Sequence, residues 1–415
     1  MWALIGVALG AGSANAQVQQ YTPPGGREEI ADHKEQLAEA VAGSRWHLGS
    51  VRLDPAFWIS DLSWVDNPGS GVEADFSARV GAGLRAYQPV GPNSTIAAYA
   101  LPEYVYWQER SEERRLNQRF GLGSFTYFNR LQLELSARRN EDFGYVSSET
   151  FQRTTLREDL LLLEVEVPLF QSIAVRARGA QSSWESLAED EVLDAVFTDL
   201  NRDDTTWRGG LRYYPSEEFY FGGGVGHAES EFADEADDRS NSGDYWYAEL
   251  GYDRPKLGFQ LDYQQNELEA EEGSSFGTYD GWTGNARVEW RPRETVAVRL
   301  YGSQALAYSI GFGSAFVDEI YGAGLLLKIG WRLQLDLYAE TGTHSYEVEL
   351  GGFGQSDDVE TYGAILTSKL GERMEVGIAY RKSTISPETV LPDRELEEIR
   401  GMFSFGLGGG SGSWY

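Results

Sequence analysis

Arginines and carboxylates recur at every second position along runs of alternating polarity, and in such a run every second side chain shares a face. One face collects Arg85, Arg119, Arg138, Arg176, Arg178, Arg208, Arg212, Arg287 and Arg299. The same face carries Glu134, Glu164, Glu166, Asp262, Glu289, Asp336 and Glu340, together with Tyr247, Tyr301 and Tyr338. Ionised groups gathered on one surface need water or each other, because an unpaired ion in a dry interior costs several kcal/mol. The chemistry available to such a surface is electrostatic, the ordering of water and the steering of charged or polar solutes. Arg176, Arg178, Arg208 and Arg212 fall on two successive runs and predict a cationic patch, a feature that favours anions. The tyrosines offer ring faces on which sugars could slide, or they fill space.

Covalent chemistry finds little support. The only histidines are His33, His47, His227 and His344. His227 lies near Glu229 and Ser230, and His344 adjoins Ser345, so a surface Ser/His hydrolase is the one enzymatic alternative. There is no cysteine, no His/Cys metal cluster and no phosphate-cradling glycine loop, and no cofactor is expected. Asp199, Asn201 and Asp203 begin a calcium-loop pattern, but Asp204 replaces its glycine and no closing Glu follows. A net charge of -30 argues against nucleic acid as a partner.

The elements that must position these residues are strands. Leu131, Leu133, Leu135 and Ala137 alternate with Gln132, Glu134, Ser136 and Arg138, and Leu333, Leu335 and Leu337 alternate with Gln334, Asp336 and Tyr338. Very short turns, such as those near Pro89, Pro168, Pro215, Pro292 and Gly330, alternate with longer and often acidic loops, such as 140–152, 184–204 and 228–242. That rhythm predicts an all-β fold: a transmembrane antiparallel β-barrel of about eighteen strands, with short periplasmic turns and long acidic extracellular loops. Tyr87, Phe128, Phe170, Tyr213, Phe219, Tyr252, Trp290 and Trp331 lie close to the short turns, where an inner aromatic girdle is expected. A mean hydropathy of -0.42 argues against a helical membrane protein and leaves a barrel open, since only alternate residues of each strand meet lipid.

Three regions follow. Residues 1–16, an apolar run ending in Ala14-Asn15-Ala16, read as a cleaved signal peptide. Residues 17–43 form a periplasmic segment with a short helix over Arg27–Ala42, placing Ile30, Leu37 and Val41 on one stripe. That helix is expected to plug the lumen from below, to dock a periplasmic partner, or simply to pack on the rim. Residues 44–415 form the barrel, closing with Phe403, Phe405 and Leu407 in phase and Tyr415 at the end. Within 184–204, Leu193, Val196, Phe197 and Leu200 predict a short amphipathic helix that folds inwards as a constriction or lid, or caps the extracellular rim. The expected location is the outer membrane of a Gram-negative bacterium. Membrane lipid, lipopolysaccharide and the barrel-assembly machinery are the expected partners.

The opening of the barrel, Trp46, Leu48-Gly49, Arg52-Leu53, Pro55 and then Asp61 to Asn67, resembles the β-barrel porin family associated with capsular or exopolysaccharide pathways. One departure is Val65, which separates Trp64 from Asp66-Asn67 where an aromatic would directly precede Asp. The resemblance implies an outer-membrane pore for polysaccharide, with a separate periplasmic polysaccharide-export protein as partner. The leading expectation is therefore a pore passing saccharide or exporting polysaccharide through a charged aqueous lumen. A general or anion-preferring diffusion porin comes second, and a plugged scaffold, receptor or outer-membrane hydrolase third.

Overall fold

The computed structural model describes residues 33–406 except 45, 68–71, 110, 112–113, 129–130, 146, 150, 152, 188–197, 234–238, 311–314, 331, 347–354, 372–373 and 389–391. The signal peptide, Ile30, Leu193, Val196, Phe197, Trp331, Leu407 and Tyr415 fall outside the described residues.

Helix α1 (His33–Gly43) leads through a three-residue strand, Trp46–Leu48, and a tight turn at Gly49 (φ 64°) into the barrel. The staves are β1 (Val51–Asn67), β2 (Val72–Val90), β3 (Ser94–Ala100 continued by Glu103–Trp107), β4 (Arg115–Asn117 continued by Arg119–Phe128), β5 (Leu131–Tyr145) and β6 (Arg153–Pro168). Next come β7 (Ile173–Ser186), β8 (Arg202–Tyr213), β9 (Phe219–Phe232), β10 (Asn241–Arg254), β11 (Leu257–Ala270) and β12 (Tyr279–Arg293). The last six are β13 (Val296–Tyr308), β14 (Ala315–Ile329), β15 (Leu333–Tyr346), β16 (Gln355–Lys369), β17 (Met374–Pro387) and β18 (Arg394–Gly406). Each stave pairs antiparallel with its neighbours in sequence, and β1 pairs with β18 from Ala56↔Gly406 to Asp66↔Glu397. The result is a closed barrel of eighteen strands, and closure leaves no edge exposed.

Alternation sorts the side chains as expected. Leu84, Leu122, Leu135, Leu211, Val225 and Leu300 project outwards with 41–60% of their surface uncovered, because their partner is the acyl region of a membrane. Trp207, Trp246 and Trp282 mark the exterior on the long-loop side, and Phe128, Phe170, Tyr213 and Trp290 mark it near the short turns. Tyr87 departs from the expected girdle. It is fully buried and sits on the inner face, since Val80 and Leu84 hold the outer positions of β2.

Candidate functional site

The inner wall is a lattice of paired charges. Arg176 on β7 donates from Nε to Glu164 on β6 (3.0 Å) and from Nη1 to Glu249 on β10 (2.8 Å). Arg212 on β8 grips the same Glu249 through Nε (2.7 Å) and Nη2 (2.8 Å) and reaches Glu166 through Nη1 (3.2 Å). Glu166 also accepts from the Tyr214 hydroxyl. The expected cationic patch is thus neutralised on the spot at Arg176 and Arg212. Glu249 was absent from the candidate residues, although its parity with Tyr247 on the same strand marks it as inward.

Arg178 and Arg208 lie directly opposite each other across β7 and β8, and Arg178 also faces Glu164 across β6. The Arg208 guanidinium carbon lies 5.0 Å from the centre of the Tyr247 ring, and its Nη1 stands 3.7 Å from Asp262. Elsewhere Arg85 pairs with Asp54 (3.3 Å), Arg138 with Glu158 (3.7 Å), Arg287 with Glu289 (3.2 Å) and Arg299 with Asp336. Glu134 accepts from Tyr127 (2.7 Å) and Glu340 from Tyr301 (2.7 Å). Arg119 stands opposite Asn140 at the start of the long segment of β4. Pairing of this density answers the desolvation cost of bringing so many ions onto one wall.

The inward aromatics follow a second rule. Tyr99, Tyr220, Tyr245, Tyr301 and Tyr338 each sit directly opposite a glycine on the adjacent strand, respectively Gly121, Gly251, Gly226, Gly322 and Gly363. Each ring lies over its glycine so closely that a Cβ there would come within 2.2–2.6 Å of it. Tyr247, opposite Gly224, reaches on to Gly210. Rings laid flat in this way cover the wall without crossing the lumen. Tyr247 and Tyr338 are buried in doing so, which removes them as open faces for sugars.

At the extracellular mouth, the loop between β5 and β6 folds inwards. Its Glu149, buried to 1%, accepts from the Ser309 hydroxyl (2.8 Å) and the Ile310 amide (2.7 Å) on the far side of the barrel. Ser148 donates to Asp318 (2.9 Å), and Arg239 from the β9–β10 loop donates to the Ser309 carbonyl (2.5 Å). Three loops are therefore tied at one serine. Leu200, Phe276 and Tyr308 join an apolar cluster beside this tie, with Ile310 packed against it.

Parity separates both Ser/His pairs. His227 points outwards and bonds Asp244 (2.7 Å), whereas Ser230 points inwards and donates to Asp204 (2.7 Å). His344 is fully buried 3.5 Å from Asp318, and Ser345, as the next residue of the strand, takes the opposite face. The calcium pattern dissolves as well. Asn201 spends its side-chain oxygen on the Ser186 amide (2.7 Å), and Asp203 already belongs to β8.

A closed antiparallel barrel of eighteen strands, apolar outside and charged within, is a Gram-negative outer-membrane β-barrel. Solved structures of this class share its architecture. Pseudomonas aeruginosa OccK2 (OpdF) matches with a TM-score of 0.53 at 10% identity, over 86% of this chain and 97% of that one. Pseudomonas aeruginosa OpdK, solved with vanillate, matches with a TM-score of 0.52 at 9% identity, over 87% and 100%. Pseudomonas aeruginosa OccK5 (OpdH) matches at 0.51 and 12%, over 87% and 98%. At these identities the likeness is one of fold. No family model and no curated protein matches the sequence. The tie to capsular or exopolysaccharide pathways implied by the opening segment has no counterpart among these neighbours.

Proposed function

We propose that the protein is an outer-membrane diffusion channel for small polar solutes, working without covalent chemistry. The observation that carries this reading is the inner wall, where arginines and carboxylates are held against one another from β1 to β18 and so form a hydrophilic lining of balanced sign. A lining of that kind wets a pore and gives it weak ion selectivity. The saccharide reading is the weaker one, because Tyr247 and Tyr338 are buried over glycines and the Glu149 loop crosses the mouth that a polymer would have to clear.

A preference for small organic carboxylates is a second reading, favoured by Arg178 and Arg208. These are like charges set face to face across adjacent strands, flanked by Glu164 and Asp262, and a bound carboxylate would add a further charge-assisted contact between them. That the fold neighbour OpdK was solved with vanillate agrees with this class of solute. Single-channel recording under a salt gradient tests both. Steady conductance with a small reversal potential is expected, with benzoate-type anions reducing the current and the reduction lost in Arg178→Gln and Arg208→Gln. Absence of conductance from the folded barrel would sink the channel reading. Block that survives both substitutions would sink the carboxylate reading alone.

A further inference from the structure

Helix α1 lies inside the barrel. Leu37 and Ala40, exposed by only 4% and 1%, pack in one cluster with Tyr87, Ala97, Tyr99 and Phe125. These wall residues belong to the inner faces of β2, β3 and β4, and Tyr87, Ala97 and Phe125 lie three residues from strand ends at short turns, on the periplasmic side. The Ser44 amide and hydroxyl both bond the Ala40 carbonyl (3.2 and 2.8 Å) and close the helix, while Arg52 of β1 donates to the Val41 carbonyl (3.4 Å).

The wall is built to receive it. Along one row of the sheet, Phe125 faces Glu134, Glu134 faces Glu164, and Glu164 faces Arg178. On that row Phe125 is the dock residue, with Thr95 and Pro89 beyond it and charges on β5 to β7. Tyr87 and Ala97 pair on the neighbouring row, which runs on through Gly123, Ser136 and Leu162. An inward Tyr, Ala and Phe patch facing open water would be a standing cost, and the helix removes it by covering the patch.

We infer that α1 is a resident restrictor of the periplasmic half of the pore, setting its conductance by filling the space beside β2–β4. The inference rests on the channel reading above. A helix about 10 Å across removes a substantial share of the cross-section, so releasing it should raise single-channel conductance about twofold. The experiment compares the full chain with a variant lacking residues 33–43 and with Leu37→Asp, which puts a carboxylate into the apolar dock; folding of each is checked by heat-modifiable gel mobility. Higher conductance in either folded variant, or current from a variant when the full chain is silent, supports the restrictor. Equal conductance of the full chain and both variants overturns it and leaves the channel reading standing. Silence from all three folded barrels overturns both, the helix then being a structural plate on the wall.

Discussion

Tyr338 and Gly363 show how a residue without a side chain can specify the position of one that is large. Gly363 faces Tyr338 across β15 and β16, and a Cβ on it would fall 2.3 Å from the Tyr338 ring carbon Cζ. Gly363→Val must push the ring off the wall into the lumen, an overpacking change of about 1–3 kcal/mol. The expected outcome is a lower urea midpoint for the refolded barrel, and coupling with Tyr338→Ala such that the double variant loses less than the two single losses added together. Strict additivity would show that ring and glycine are independent. The parity of Tyr338, Tyr301 and Tyr247 was legible in the sequence, since it needs only a period of two. Their partners were not, because a glycine on a strand carries no mark of what lies over it until the register between strands is fixed. Glu249 is a different kind of omission. Its inward parity was available, and only its bridging of Arg176 and Arg212 required the structure.

Among the elements, strands and turns were readable because each is dictated locally, by alternation and by short connections between alternating runs. The behaviour of the loop between β5 and β6 was not. Its tie joins Glu149 to Ser309 across 160 residues of chain, and no local pattern encodes such a contact. The sequence singled out the loop between β7 and β8, with a short amphipathic helix that either folds inwards or caps the rim, and residues 188–197 of that loop lie outside the described residues. A buried carboxylate accepting two hydrogen bonds is a strong anchor, and hydrogen bonds to charged groups are worth about 1.5–3 kcal/mol. Glu149→Ala should therefore free the loop, leaving the barrel intact while the current becomes noisy with brief closures and the amides of residues 147–151 exchange faster with solvent. Glu149→Gln keeps an acceptor and should fall between. If Glu149→Ala records like the parent, the tie is incidental to the position of the loop.

At the scale of the whole molecule, closure is the condition on which every other feature depends. In hydrocarbon the backbone of a strand has no water to bond, and each unsatisfied group costs several kcal/mol, so a sheet survives there only without edges. Here the last edge is removed by β18, which pairs with β17 from Met374↔Phe405 to Ile385↔Arg394 and with β1 from Ala56↔Gly406 to Asp66↔Glu397. Phe57 and Phe403 meet edge to face across the seam at 6.5 Å on the outer surface, where the join also needs an apolar seal. Truncation after Asp393 would open two long edges at once, on β1 and β17. It would also strip Arg381 of Glu398, its partner inside. The truncated chain is expected to give no heat-modifiable band and no conductance under conditions where the parent refolds. Removing α1 should leave the barrel band in place, because the helix covers a wall whose backbone bonds are already complete. A truncated chain that still formed a compact, heat-modifiable barrel would mean that seventeen strands can close by themselves, and would remove the β1–β18 seam from its place as the step on which folding turns.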